Sequence, residues 1–324
     1  MPGPDARGAD GRLTQAGTPV APLLSFLVCT RNRAHQIPHC LSSICASLQA
    51  AGHPTAEIVC VDNGSGDGTG QALRAWASTA PVPVHILDEP RPGLSRARNT
   101  GLRFTSGEIL AFTDDDCRLA PGHVRDLLAH DARDGARLVL RGGRVLLGDP
   151  ADLPYTIKDQ DEPEHYGIGP GERRPPHLGG VVLSCNMAMR RPVMERVGPF
   201  DERLGTGAPL RAGEDTDYLS RAYLAGIAIE YVPDMAVLHF HGRRDVEALR
   251  RLIDAYAEGN GGYFVKVLPR DWRLARQAWW DGRDALLELL RIRPSYQEFG
   301  VGAPRRFRGY LRGAARFLWY SLRR

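Results

Sequence analysis

Ile109-Leu110-Ala111-Phe112-Thr113-Asp114-Asp115-Asp116-Cys117 is an apolar run that stops abruptly in three carboxylates. The run reads as a buried strand, and a strand's period of two puts Asp114 and Asp116 on one side and Asp115 on the other. Three adjacent negative charges at the lip of a core repel one another. The pattern therefore asks for a positive counterpart, of which a hard divalent cation liganded by oxygen is the natural one. A solvated acidic turn would read the same in isolation, so the surrounding chain has to decide.

Upstream, the motif repeats. Leu23 to Cys29 is a short apolar run that stops at Thr30-Arg31-Asn32-Arg33, and Ile37, Leu41, Ile44 and Leu48 follow at helical spacing. Glu57 to Val61 is a second run, ending in Asp62-Asn63-Gly64-Ser65-Gly66-Asp67-Gly68-Thr69, where glycines allow close backbone approach to a ligand. Val84 to Leu87 is a third, and Gly93-Leu94-Ser95-Arg96-Ala97-Arg98-Asn99 opens the helix that leads to the 109–117 run. Strands alternating with helices predict an α/β fold with a mainly parallel sheet flanked by helices. In such a sheet the polar strand ends share one edge, so Thr30, Asp62 and Asp114 to Asp116 are expected to face one crevice.

Downstream, strands are expected at 137–140, 144–147, 181–189, 227–232 and 235–238, the last leading into His239-Phe240-His241. Residues 149–178 form a polar, Pro- and Gly-rich stretch. Glu214-Asp215-Thr216-Asp217, with acids in its first turn and Gly226 at its end, signposts a helix. From about Arg243 the chain is helical in pattern and rich in arginine. Phe307, Leu311, Ala314, Leu318 and Leu322 make a stripe that suits either an anionic membrane surface or a protein face, on the sheet domain or a second subunit. The expected organisation is a leader without structure over residues 1–20, an α/β domain over 21–242 and a basic helical extension over 243–324.

The bulk numbers narrow the classes. Hydrophobic residues make up 43% and charged residues 25%, and the net charge of +4 is too balanced for a nucleic-acid-binding surface. No apolar run is long enough to span a bilayer and no secretory signal is visible, so the expectation is a cytoplasmic protein, peripheral at most on the inner face of the membrane. The six cysteines lack C-x-x-C spacing and read as reduced, buried small hydrophobes.

In order, the Thr30-Arg31-Asn32-Arg33 strand end, the Val61-Asp62-Asn63-Gly64-Ser65 loop, Gly93 to Asn99, Gly107-Glu108-Ile109 and Asp114-Asp115-Asp116 resemble the inverting family 2 glycosyltransferases. The resemblance continues through Gly198-Pro199-Phe200-Asp201, Gly213-Glu214-Asp215 and Pro233 to His239, and covers roughly residues 23–241. It implies the GT-A fold and single-sugar transfer from a nucleotide sugar, usually a UDP-sugar, to a hydroxyl acceptor (glycan, lipid-linked or small molecule). It also implies Mn or Mg as cofactor. Asp62 is similar to the residue that binds the nucleobase, with Thr30 and Asn32 beside the base and Arg96 at a basic position that contacts the nucleotide. Asp114 resembles the first acid of the D-x-D motif, near ribose and metal, and Asp116 its metal-binding second acid. Asp115 and Glu214 are counted with the nucleotide-sugar site, Asp115 mainly in a structural part. Asp215 resembles the general base, and His239, with His241 as competitor, a late histidine that holds metal or diphosphate.

The sequence also departs from the family. The Q-x-x-R-W motif of processive members is missing from Arg276-Gln277-Ala278-Trp279-Trp280, and Arg31 stands where many members carry an aromatic. A sugar-1-phosphate nucleotidyltransferase would want a Gly-rich phosphate loop after the first strand, which Thr30 to Ala34 does not provide. A nucleotide-sugar-binding module without catalysis is the remaining alternative. The acceptor, the sugar, the metal and the oligomeric state are left open.

Overall fold

β1 (Leu24–Thr30) is flanked by two parallel partners, β2 (Ala56–Asp62) and β4 (Ile109–Asp114), and β2 is flanked in turn by β3 (Val84–Asp88). The structure is a computed structural model and describes residues 21–323 except residue 176. Alternate side chains of these strands enter two different cores, one on each face of the sheet. Phe26, Val28, Ile58 and Ala111 pack with Ile37, Leu41 and Ile44 of α1 (Ile37–Ala50), Leu73 of α2 (Thr69–Ala77) and Leu127 of α4 (His123–Asp134). Leu27, Val59, Leu110 and Phe112 pack with Ala97 and Leu102 of α3 (Leu94–Phe104) and with Tyr218 and Leu219 of α6 (Glu214–Leu224). The second core also takes in Phe264 of α7 (Val246–Val267) and Tyr310 of α9 (Ala303–Leu322), so the C-terminal helices share it with the sheet.

Beyond β4 the sheet becomes mixed, in the order β3-β2-β1-β4-β8-β6-β9-β5. β8 (Asn186–Arg190) runs antiparallel between β4 and β6 (Val139–Leu147), and β9 (Ala228–His239) is parallel to β6. Two expectations change here. The pairs of strands foreseen at 137–147 and 227–238 are each one continuous strand. Continuity survives Pro233 because the register slips between Gly143 and Arg144, leaving the prolyl segment unpaired in a bulge. Gly143 makes the slip possible, since a Cβ there would lie 1.7 Å from the Met235 carbonyl oxygen. The second change is that 181–185 is turn rather than strand.

Two short strands were not anticipated. β7 (Glu164–Tyr166) pairs with β9, and β5 (Cys117–Leu119) pairs antiparallel with the end of β9, setting Cys117 opposite His239. The second pairing joins the acid motif to the late histidine.

α9 crosses α7 at a distance only glycines permit. A Cβ on Gly313 would lie 1.8 Å from the Glu258 carbonyl oxygen, and one on Gly261 2.1 Å from that of Tyr310. α7 in turn presses on the loop before α6, where a Cβ on Gly259 would lie 2.4 Å from the Ala212 carbonyl oxygen. Among the described residues no helix is long and apolar enough to cross a membrane. The expected leader over residues 1–20 lies outside the described residues.

Candidate active site

The three acids at the end of β4 point in different directions. Asp115 turns back into the fold, accepting a hydrogen bond from Thr30 Oγ1 at 2.7 Å and facing Arg33 Nε at 3.4 Å. Burial pushes its carboxyl up to about 7 against the Thr30 bond, and the neighbouring Asp116 adds to the rise. Asp114 stays partly open and lies 3.4 Å from Arg98 Nη2. Asp116 lies 3.3 Å from His239 Nε2 and 3.6 Å from Arg33 Nη2. Burial alone would raise Asp116, but its bond to His239 holds the carboxyl below its usual range.

His239 is oriented from behind. Its Nδ1 sits 3.2 Å from the Thr156 carbonyl oxygen, so Nδ1 carries a proton and Nε2 is turned to Asp116, to which it donates when the ring is charged. Burial opposes a second proton, yet Asp116 outweighs it and raises the histidine to about 9. The pair thus attracts positive charge, and an aspartate oxygen beside an oriented imidazole nitrogen fits a divalent metal such as Mn or Mg. His241 is engaged elsewhere: its Nδ1 accepts from Arg243 N at 3.0 Å and faces Asp152 at 3.6 Å. Between the two candidates, His239 is the one beside the acid motif. Cys117, Cys185 and His239 also bring ligand atoms within 4.8 Å of one another.

Opposite the acids, α6 begins at Glu214 after Gly213, whose φ of +89° lets the chain enter the helix from a sharp turn. Asp215 Oδ1 accepts from Thr216 N at 2.7 Å, and among the described residues Oδ2 has no hydrogen-bond partner. Glu214 is buried against Arg98 Nη1 at 3.3 Å, and burial, with Asp215 second, pushes its carboxyl up to about 7.

Asp114, Asp116, Glu214, Asp215 and His239 line one cavity of about 560 Å³. Its far wall is built by Tyr155, by Tyr256 and Asn260 of α7, by Gln277 of α8 (Arg276–Leu289) and by Tyr296, Arg306 and Tyr310. The remaining expected residues do not line it. Thr30 is committed to Asp115, and Asn32, with φ of +56°, ties two loops together by accepting from Gly66 N at 2.8 Å. Asp62 is buried at the end of β2, where Oδ1 accepts from Ser65 N at 2.9 Å and shapes the glycine-rich loop. Arg96 pairs with Glu202 at 3.2 Å. The basic residues that line the cavity are Arg211, Arg243 and Arg306. Arg98, two positions on from Arg96, is buried behind Asp114 and Glu214 and also donates to Ser184 Oγ at 2.8 Å. Its signal was present in the sequence, because Arg98 shares the Leu94, Ala97, Gly101 and Leu102 face of α3. A charge on an apolar helix face requires buried partners.

Residues 25–198 match the family model described as glycosyl transferase family 2, a span that includes the acid motif and stops before Asp215 and His239. Glycosyltransferase AglE of Haloferax volcanii is 28% identical over 224 residues, which is 68% of this chain and 68% of that protein. The pre-mycofactocin glycosyltransferase of Mycobacterium tuberculosis is 29% identical over 49% of this chain and 32% of its own length. Human polypeptide N-acetylgalactosaminyltransferase 15 is 27% identical over 58% of this chain. The chain spans only about a third of the length of these last two relatives (32% and 31%). Among solved structures, the mannosyltransferase PcManGT of Pyrobaculum calidifontis, in complex with GDP-Man and Mn2+, superposes with a TM-score of 0.59 at 20% identity. That superposition covers 93% of this chain and 88% of PcManGT. S. aureus TarS 1-349 in complex with UDP gives a TM-score of 0.51 at 16% identity, covering 93% of this chain and 92% of that one. At these identities the likeness is one of fold, and the fold is GT-A.

Proposed function

Because the chain belongs to glycosyl transferase family 2, whose members are glycosyl-transferring enzymes, we propose that it moves a single sugar, with inversion, from a nucleotide sugar to a hydroxyl acceptor. The donor we favour is a UDP-sugar and the acceptor a glycan, a lipid-linked carrier or a small molecule. The observation that carries this reading is the convergence of Asp215 with Asp114, Asp116 and His239 on one cavity, from elements nearly a hundred residues apart in sequence.

In this reading residues 21–242 are the sugar-transfer domain and 243–324 an extension that closes the cavity. Asp62 and the loop it shapes hold the nucleobase, with Thr30, Asn32 and Arg96 as supports. Asp116 and Asp114, with His239, would hold Mn or Mg, which would supply positive charge against that of the departing nucleoside diphosphate. Arg98 is buried between Asp114 and Glu214, so it keeps both acids compatible with each other next to the donor. Asp215 takes the proton of the acceptor hydroxyl as it attacks the anomeric carbon. With one oxygen anchored on Thr216 and the other free of protein partners among the described residues, the carboxylate has a fixed aim and an available lone pair. We place the enzyme in the cytoplasm, with the C-terminal basic helix as its peripheral contact with the inner face of the membrane.

A donor screen read by nucleotide release, with and without Mn, tests the reading. Release with one nucleotide sugar, dependent on Mn or Mg and lost in Asp215→Asn, is the expected result. Silence with every nucleotide sugar, while one still binds, would turn the chain into a binding module, and pyrophosphate-dependent nucleotide exchange would make it a nucleotidyltransferase.

A further inference from the structure

The stripe of Leu311, Leu318 and Leu322 does not cover the rest of the protein. α9 docks on α7 through the opposite face, where Gly309, Tyr310, Gly313 and Phe317 are buried. The glycines set that orientation, since a Cβ on Gly309 would lie 2.6 Å from Ala257 Cβ. The outward face is left with Leu311, Leu318, Trp319 and Leu322, the last 87% exposed.

α8 and the segment after it repeat the pattern. Trp279, Arg283, Leu286 and Leu290 recur at helical spacing and are exposed, as are Trp280, Leu289 and Ile292. Of the sixteen large hydrophobic side chains exposed among the described residues, thirteen lie at Leu268 or beyond. An apolar surface this concentrated marks a contact.

Its charge identifies the partner. Residues 268–324 carry thirteen arginines against five carboxylates, a net +8 in a chain whose total is +4, so the preceding 267 residues are net −4. Arg276, Arg291, Arg308, Arg312 and Arg323 are exposed and, among the described residues, form no ion pair. Arg323 lies over the Trp319 ring at 3.8 Å and Arg283 over Trp280 at 4.4 Å, an arrangement in which aromatic bodies sit at an interface and guanidinium groups reach outward. A second copy packed on the same face would bring two strongly positive segments together. Leucines and tryptophans interleaved with unpaired arginines match a layer that is apolar inside and anionic at its surface.

We propose that α8, the segment through Ile292 and the outer face of α9 form one docking surface for anionic phospholipid. Tyr296, 75% exposed, follows this surface in the chain and also lines the cavity, so the docking face borders the cavity that holds Asp215. The surface itself stands independently of the sugar-transfer reading, because its test involves no turnover.

The test is flotation of the full chain with vesicles of phosphatidylcholine alone or mixed with phosphatidylglycerol, alongside sedimentation of the protein without lipid. The expected result is binding to the anionic vesicles about tenfold or more above the neutral ones, weakening as salt rises. Leu311→Ser combined with Leu318→Ser and Trp319→Ser should lower that binding about tenfold with an unchanged circular dichroism spectrum. Arg308→Glu with Arg312→Glu, which leaves every apolar group in place, should do the same. Equal binding to both vesicle types, no binding to either, or a wild-type dimer that the triple variant dissociates would each overturn the proposal, the last in favour of self-association.

Discussion

Arg98 Nη1 lies 3.3 Å from Glu214 Oε1, and both side chains are buried, Glu214 at the cavity wall and Arg98 behind it. The same guanidinium reaches Asp114 at 3.4 Å, so one cation stabilises two carboxylates contributed by different halves of the chain. Arg98→Met keeps the volume and removes the charge. The expected loss is on the order of 3 kcal/mol in denaturant unfolding, because buried Glu214 and partly open Asp114 lose their compensation together. A loss under about 0.5 kcal/mol would show that solvent already screens the acids.

Glu214 gives that network a pH signature. Its carboxyl is raised from an ordinary 4.5 to about 7, so between those values the folded protein binds a proton that the unfolded chain has released. Stability contributed by the protonated form is therefore full below the ordinary glutamate range and is lost as pH rises through about 7. Glu214→Gln should flatten this decline. Parallel stability-versus-pH curves for wild type and variant would count against it.

Asp215→Asn should lower turnover by roughly 10² to 10⁴, the range for loss of a general base, and leave the donor dissociation constant nearly unchanged. Comparing single-turnover transfer with calorimetric donor binding separates the two. A variant that binds donor poorly yet turns over normally when saturated would make Asp215 a donor contact instead.

Chelation of divalent metal should abolish nucleotide release, and Mn or Mg should restore it. In His239→Asn the metal concentration for half-restoration should rise about tenfold or more, since one ligand and its Thr156 support are lost together. His241→Asn should raise that concentration less, within about twofold, since the His241 ring touches His239 only edge-on and its Nδ1 is engaged by Arg243 N and Asp152.

The α7–α9 seam can be tested in the same way. Gly313→Ala places a Cβ 1.8 Å from the Glu258 carbonyl oxygen, so the helices must separate. Overpacking of this kind costs about 1–3 kcal/mol, and it should appear as a lower melting temperature with early proteolysis within α9.

What could be read from the sequence, and what could not, follows from the range of the interactions. The four strands through Asp114 were legible because each is a short apolar run with a polar end, whereas Asp115 and Asp116 lie in a turn after β4, where a strand period no longer sets direction. The late sheet was harder. β5 is three residues long, and β9 passes through a proline that only the glycine on its neighbour accommodates, so neither has a local signal of its own. The choice between Arg96 and Arg98 turned on helix phase, two positions apart. The α9 stripe was visible, but its direction was set by glycines on α7, fifty residues earlier.

Those glycines also bear on the order in which the protein is made. The sheet can close once His239 has left the ribosome, yet the Ala212–Gly213 turn that presents Asp215 has no backing until α7 follows, and the cavity wall lacks Arg306 and Tyr310 until α9 does. A nascent chain can thus bring Asp116 and His239 together well before Asp215 is held in place. The cavity is walled on all the sides described above only when α9, with its exposed Leu311, Leu318 and Leu322, has docked on α7.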